Sequence, residues 1–242
     1  MSDRFFVDSP IDGDAALLRG AEAHHLLHVM RAAAGDEVTL FDGSGWEFRA
    51  RIERLGRADI ELSICKRTLV DRELPIRIVL GICLPKQDRQ RSLIEKCVEL
   101  GAGRLVPLVS SRATVRGAAA ASGRLDRYVI EASKQCGRNH LMEIAEPVEL
   151  ADYLTAPGGA LRLLAQPNGA PLVETIGPQI AAGSECRVAI GPEGGFTEAE
   201  EQLATEHGWQ SVSLGGRTLR IETAAAAMVA VLGALAGGSP RT

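Results

Sequence analysis

From residue 76 onward, short apolar runs alternate with amphipathic stretches of helical period, and this alternation limits the fold more than any other feature. "IRIVLGICL" (76–84) is almost continuously apolar, as a strand buried on both faces has to be. In the next stretch, "DRQRSLIEKCVELGAG", Leu93, Ile94, Cys97, Val98 and Leu100 recur at helical spacing, and Gly101 and Gly103 end the run. The pattern continues with strand "RLVPLV", helix "GRLDRYVIEASKQCGR", strand "LRLLA", helix "LVETIGPQIA", strand "CRVAI", helix "EAEEQLATEHG", strand "SVSL" and an alanine-rich last helix. Strands joined through helices pair in parallel, because each crossover returns the chain to the same end of the sheet. The expected fold class is therefore α/β, with a mainly parallel sheet covered by helices.

The first seventy or so residues follow period two instead. In "VTLFDGSGWEFRARI", Val38 and Leu40 alternate with polar neighbours and Gly43-Ser44-Gly45 supplies a turn. Trp46, Phe48, Ala50 and Ile52 then face one way while Glu47, Arg49 and Arg51 face the other. "ADIELSIC" repeats the alternation through Ile60, Leu62 and Ile64, so a small barrel or curled sheet is expected, with one helix over "EAHHLLHVMRA". The boundary falls near Asp71–Leu74, which divides the chain into 1–72 and 73–242.

Composition narrows the function classes. With 45% hydrophobic residues in 242, the chain can bury a substantial core. The five cysteines (Cys65, Cys83, Cys97, Cys136, Cys186) are scattered, mostly in apolar runs and without a CxxC pair, as expected of reduced, buried thiols. "MSDRFFVDSP" lacks the basic-then-apolar pattern of an export signal, and no apolar run approaches the roughly 20 residues that cross a bilayer. The expectation is a cytoplasmic protein with no membrane partner. Net charge is −4, yet residues 84–138 hold 11 Lys/Arg against 5 Asp/Glu. One basic segment in an acidic chain can guide a polyanion such as RNA to one face.

Three glycine-rich or polar turns follow predicted strands: "QPNGAP" (166–171), "GPEGG" (191–195) and "GGRTLRIE" (215–222). Thr197 and Glu200 form a T-x-x-E capping box for the helix after "GPEGG", and Thr223 is the expected cap of the last helix. In open parallel sheets ligands bind beyond the carboxyl ends of strands, so the three turns are expected to share one pocket. A phosphate suits it poorly: GxxxxGK[ST] and GxGxxG are absent, none of the three turns has a lysine, and Glu193 would repel an anion. A neutral or cationic ligand with amide-like edges fits better, and S-adenosylmethionine, with its sulfonium and adenine, is one.

"IGPEGGFTEAE", "SLGGRTLRIETA", "LPKQDRQRSLIEKCVELGAGRLVPL", "EASKQCGRN" and "HHLLHVMRAAAGDEVTLFDG" resemble, in order and spacing over nearly the whole chain, the bacterial 16S ribosomal RNA uridine-N3 methyltransferases of the SPOUT (α/β-knot) superfamily. The resemblance implies a trefoil-knotted parallel-sheet methyltransferase domain, an N-terminal PUA-like RNA-binding β-barrel and a homodimer with active sites at its interface. It also implies S-adenosyl-L-methionine as cofactor and the 16S ribosomal RNA of the small ribosomal subunit as partner. The cofactor would lie against Leu164, Ala165, Gly191, Pro192, Glu193, Gly194, Gly195, Leu214, Gly215, Leu219, Arg220, Thr223 and Ala224. Two positions depart from the family pattern: Gly216 where many relatives have proline, and Ile221 where threonine is usual.

Uridine N3 is a poor nucleophile until its proton leaves, so the reaction needs a base, a stabiliser for the uridinate and close alignment. Arg220 is the expected stabiliser, with Glu222 or Glu193 as proton acceptor or positioning group, and an Arg220–Glu222 ion pair is the structural alternative. Arg138 is expected to meet RNA phosphate or the partner subunit, and Lys86, Arg89, Arg112 and Arg116 are further phosphate candidates. His24 and His28 share a helix face at i, i+4, but the zincin pattern fails at position 25 and a third ligand is missing, so RNA contact with Arg31 or packing is expected and metal is not. The competing classes are a non-enzymatic RNA-binding protein, a nucleotide-dependent enzyme and a SPOUT enzyme acting on a different nucleotide.

Overall fold

Residues 4–113, 122–158 and 161–237 are described by the computed structural model. The chain forms two units, Met1–Glu73 with Ser133–Leu141, and Leu74–Ala132 with Met142–Thr242.

In the first unit, β1 (Arg4–Phe6), β2 (Ala15–Arg19), β3 (Glu37–Phe41), β4 (Trp46–Leu55) and β5 (Asp59–Leu69) pair in the order β1-β3-β4-β5-β2. Period two decides which way the side chains point. Phe48, Ala50 and Ile52 are buried, while Arg49 and Arg51 are exposed and reach Glu37 across the ladder at 2.5 and 3.3 Å. Trp46 departs from the expectation: it pairs with Leu69 at the end of the β4–β5 ladder, and both are exposed. Register shifts at Arg49/Ala50 and Ile52/Arg54 mark bulges, which bend a ladder and increase its twist. The resulting curl brings Phe5 of β1 and Leu18 of β2, from opposite ends of the strand order, into one core with Leu40, Phe48 and Ile60.

The helix expected over 22–32 is shorter and changes pitch. α1 (Gly20–His24) passes into a π-helical turn, His25–Val29, where the Met30 N–H donates to His25 O at 3.1 Å. Arg31 ends it at φ 55, the one left-handed non-glycine among the described residues. Such a turn, widened by an inserted residue, is invisible to a 3.6-residue pattern.

The second unit is the expected parallel sheet. β6 (Arg77–Ile82), β7 (Arg104–Val109), β8 (Glu143–Ile144), β10 (Leu161–Pro171), β11 (Glu185–Ile190) and β12 (Gln210–Ser213) run in the order β12-β10-β11-β6-β7-β8, with β9 (Val148–Glu149) paired to β7. Its helices are α2 (Gln87–Glu99), α3 (Ser122–Cys136, whose last turn belongs to the first unit), α4 (Leu150–Thr155), α5 (Leu172–Ile176), α6 (Glu198–Glu206) and α7 (Ile221–Leu235). β8, β9 and α4 escape the sequence pattern because they are too short to show a period. Tyr153 of α4, Ala204 of α6 and Trp209 pack with Val79, Leu108, Leu164 and Ala189. α2 and α7 pack on each other and contribute the buried Leu93, Ile94, Met228, Val229 and Leu232. Gly81 lets Tyr153 lie against the sheet, since a Cβ there would stand 2.5 Å from the Tyr153 ring. The Tyr153 hydroxyl is 3.3 Å from the carbonyls of both Val79 and Val188.

Cys83, Cys97 and Cys186 are buried, and burial pushes their thiols up to about 11, 12 and 12. Cys65 is exposed, contrary to the expectation for it.

Candidate active site

Ala165 of β10 is level with Ile190 of β11 on one side and with Val212 of β12 on the other. β11 and β12 end near this level, while β10 runs on to Pro171 through the stretch expected as a turn, its ladder with β12 interrupted, so the three connecting stretches lie along one edge of the sheet. The first loop bulges between Ala165 and Ala170, both of which pair with Val212. Gly169 is what allows it, because a Cβ there would fall 2.5 Å from the Val212 nitrogen, a backbone atom that cannot rotate away. The Ser213 hydroxyl donates to Pro167 O at 3.1 Å and accepts from the Gly215 N–H at 3.1 Å, so it connects the first loop to the third.

The middle loop is the most constrained. Gly195, at φ 68, closes a turn by donating its N–H to Pro192 O at 2.9 Å. Arg112 Nη1 donates to the carbonyls of Gly194 at 2.9 Å and Phe196 at 3.1 Å. The capping box forms as expected: Thr197 Oγ1 accepts from the Glu200 N–H at 3.2 Å, and Glu200 Oε2 accepts from the Thr197 N–H at 2.7 Å. The other Glu200 oxygen accepts from the Ser111 N–H at 3.0 Å. Burial alone would raise the Glu200 carboxyl, but these bonds from Thr197 and Ser111 outweigh it and hold the group below its ordinary value.

Together the loops enclose a cavity of about 270 Å³. Of the residues expected at the cofactor, Ala165, Gly191, Pro192, Glu193, Gly195, Leu214, Gly215, Leu219, Arg220 and Ala224 line it. Leu164 does not line it and packs in the core instead, Gly194 turns toward Arg112, and Thr223 is exposed in the first turn of α7. Nor is Thr223 the cap: α7 begins at Ile221, and Arg220 holds the N-cap position without a side-chain bond. Gln166, Pro167, Ile190, Phe196, Val212, Arg217, Thr218 and Ile221 also line the cavity and were missed. Five of them, Gln166, Pro167, Arg217, Thr218 and Ile221, stand in the two outer turns already singled out, so turn membership alone could have found them.

The candidate catalytic carboxylates converge on one cation. Arg89 Nη2 lies 2.7 Å from Glu193 Oε1, and Arg89 Nη1 lies 3.4 Å from Glu222 Oε2. Glu222 therefore pairs with Arg89, and not with Arg220 as the structural alternative had it. A hydrogen bond from its own backbone N–H, then the Arg89 guanidinium, hold the Glu193 carboxyl below its ordinary value. Glu193 in turn raises Arg89.

The phosphate candidates fare differently. Arg31 and Lys86 are exposed, and Lys86 holds the N-cap position of α2. Arg89 and Arg112 are engaged as described. Arg138 is corrected: it is 4% exposed, its guanidinium is ion-paired with Glu73 and its carbonyl accepts from Arg4 at 3.2 Å, so it is covered and its charge is already matched. Arg116 lies outside the described residues.

Residues 72–233 match the model of an RNA methyltransferase domain and residues 18–65 that of an RNA methyltransferase PUA domain. The ribosomal RNA small subunit methyltransferase E of Synechocystis is 32% identical over 222 residues, covering 90% of this chain and 72% of that one. The Bacillus subtilis protein of the same name is 28% identical, covering 86% of this chain and 85% of its own. Among solved structures, the Neisseria gonorrhoeae ribosomal RNA small subunit methyltransferase E, bound to S-adenosyl methionine, has a TM-score of 0.88 and 33% identity over 98% of both chains. A Legionella pneumophila protein in complex with the same cofactor has a TM-score of 0.90 and 30% identity, again over 98% of both. With its PUA-like β-domain, its SPOUT parallel sheet and the loops at that sheet's edge, the chain belongs to the ribosomal RNA small subunit methyltransferase E family.

Proposed function

We propose that this chain transfers a methyl group from S-adenosylmethionine to N3 of a uridine in the 16S ribosomal RNA of the small subunit, working as a homodimer. The observation that carries the reading is the convergence of three loops on one mostly apolar cavity that has a carboxylate, Glu193, on its wall and no lysine. The apolar wall suits an adenine and the carboxylate a cation, while Arg217 and Arg220 on the same wall leave positive charge for the RNA. The glycine turns bring backbone N–H and C=O groups close to the cavity, where a side chain would block approach. Gly191 fits tightly, since a Cβ there would stand 3.1 Å from the Phe196 ring. Ala165, Gly191, Pro192, Leu214, Gly215, Leu219 and Ala224 would hold the cofactor, which supplies an electrophilic methyl on a sulfonium.

The chain's own residues do the rest. Arg220, exposed at the N-cap of α7 and on the cavity wall, is placed to steady negative charge on the uracil oxygens. Arg217, exposed in the same turn, adds positive charge where an RNA strand would approach. Glu193 or Glu222 takes the N3 proton.

Calorimetry with S-adenosylmethionine and with ATP, followed by mass spectrometry of nucleosides from treated small-subunit RNA, tests the reading. Binding of S-adenosylmethionine alone and appearance of 3-methyluridine are expected. Binding of ATP in its place would overturn the reading, and methylation of a different nucleotide would overturn the N3 assignment.

A further inference from the structure

The charged cluster at the cavity joins three elements that are remote in sequence: the first turn of α2 (Arg89), the loop after β11 (Glu193) and the first turn of α7 (Glu222). The arginine uses a different nitrogen for each carboxylate, so both are held at once. A lysine, with one compact ammonium, could not span them in the same geometry. The two pairings are unequal. The short bond goes to Glu193, whose side chain is 45% exposed, and the long one to Glu222, which is 15% exposed. Among the described residues Glu222 bonds only Arg89, through Oε2. It is therefore partly desolvated and charge-compensated but loosely held, as a working base should be, whereas Glu193 is firmly engaged. Ile221 and Ala224, on either side of Glu222, line the cavity.

We propose that Arg89 is a positioning residue: its fork ties the loop after β11 to the first turn of α7, with Glu193 as anchor, and so holds Glu222 as acceptor of the uridine N3 proton. The assignment rests on the methyl-transfer reading and chooses between the two carboxylates that reading leaves open. In the step, the N3–H bond breaks and an O–H bond forms at Glu222. The negative charge left on the uracil ring is neutralised when N3 takes the methyl group, whose bond to the sulfonium would break so that S-adenosylhomocysteine leaves as a neutral thioether, and the carboxyl then returns its proton to solvent.

The test compares Arg89→Met, Arg89→Lys, Glu222→Gln and the Arg89→Met/Glu222→Gln double variant by single-turnover methyl transfer at saturating RNA and cofactor. Amide exchange of the protein without cofactor is measured alongside. Arg89→Met and Glu222→Gln should each slow transfer at least roughly tenfold, and the double variant should be no slower than Glu222→Gln alone, because residues acting as a unit are non-additive. Arg89→Lys should recover little of the loss. Exchange should quicken in both 191–196 and 220–223 when Arg89 is replaced by Met. Multiplying losses, full rescue by lysine, or unchanged exchange in either segment would overturn the role. If the unaltered protein transfers no methyl group, the methyl-transfer reading fails, while the exchange result still reports on the tie between the loops.

Discussion

Arg89 and Glu222 are 133 positions apart in sequence and 3.4 Å apart in space, and Glu193 occupies the other side of the same guanidinium at 2.7 Å. A cation that looks, by composition, like one more phosphate contact is thus already spoken for by two carboxylates. Its own backbone N–H first, and then the Arg89 guanidinium, give Glu193 a pH signature. Its folded pKa lies below the ordinary carboxylate value, so the stability it contributes is complete above that value and is lost as pH falls through the folded pKa. The melting temperature of the protein should exceed that of Glu193→Gln near neutrality, and the gap should close as pH drops below about 4. A gap that widens on acidification would contradict the assignment.

Gly195 sits at φ 68 on the cavity wall, whereas Gly194 avoids the left-handed region and has space for a Cβ, its nearest neighbour being Arg112 Cδ at 3.6 Å. A β-branched residue at Gly195 would cost about 1–2 kcal/mol in backbone strain and would distort the turn. Gly195→Val should weaken S-adenosylmethionine binding at least roughly tenfold by calorimetry, about 1.4 kcal/mol. Gly194→Ala should bind nearly normally. The reverse order would displace the cofactor from the wall described.

Arg112 grips the Gly194 and Phe196 carbonyls, while Lys86 stands exposed. Arg112→Ala should therefore lower cofactor affinity several-fold and leave the salt dependence of RNA binding unchanged. Lys86→Ala should reduce the slope of log K against log salt by roughly 0.7–0.9, as the loss of one phosphate contact does. Filter-binding titrations over a range of salt give both slopes.

Arg220 has an exposed guanidinium and does not pair with Glu222, which is held by Arg89. Arg220→Lys keeps the charge but loses the planar fork that grips an oxyanion from two nitrogens. Single-turnover methylation should slow at least roughly tenfold, about 1.4 kcal/mol of transition-state stabilisation, with cofactor affinity nearly unchanged. Near-normal turnover would refute a role for the fork.

Gly169→Ala forces a methyl group against the Val212 backbone. Overpacking of this kind costs roughly 1–3 kcal/mol, so thermal melting should show a clear loss of stability together with weaker cofactor binding. Gly177→Ala, where a Cβ meets nothing within 4 Å, is the control and should melt nearly as the unaltered protein does.

The parallel sheet, the period-two domain before it and the three cavity-facing turns were legible in the amino-acid sequence, because periodicity, capping boxes and glycine turns are written in neighbouring residues. Thr197 with Glu200, Phe48 with Ile52, and the apolar run of β6 needed nothing distant to reveal them. The partners of the charged side chains had to wait for the tertiary structure. Which carboxylate meets Arg89 depends on how the strand order β12-β10-β11-β6-β7-β8 lays α2 and α7 beside the loop after β11, a long-range pairing with no local signature. For the same reason Arg138, one of many arginines in a basic segment, proved to be buried on Glu73, and Arg112 proved to hold a loop. Local sequence decides which elements form and where the chain must turn. The burial and pairing of a long charged side chain depend on which distant backbone comes within its reach.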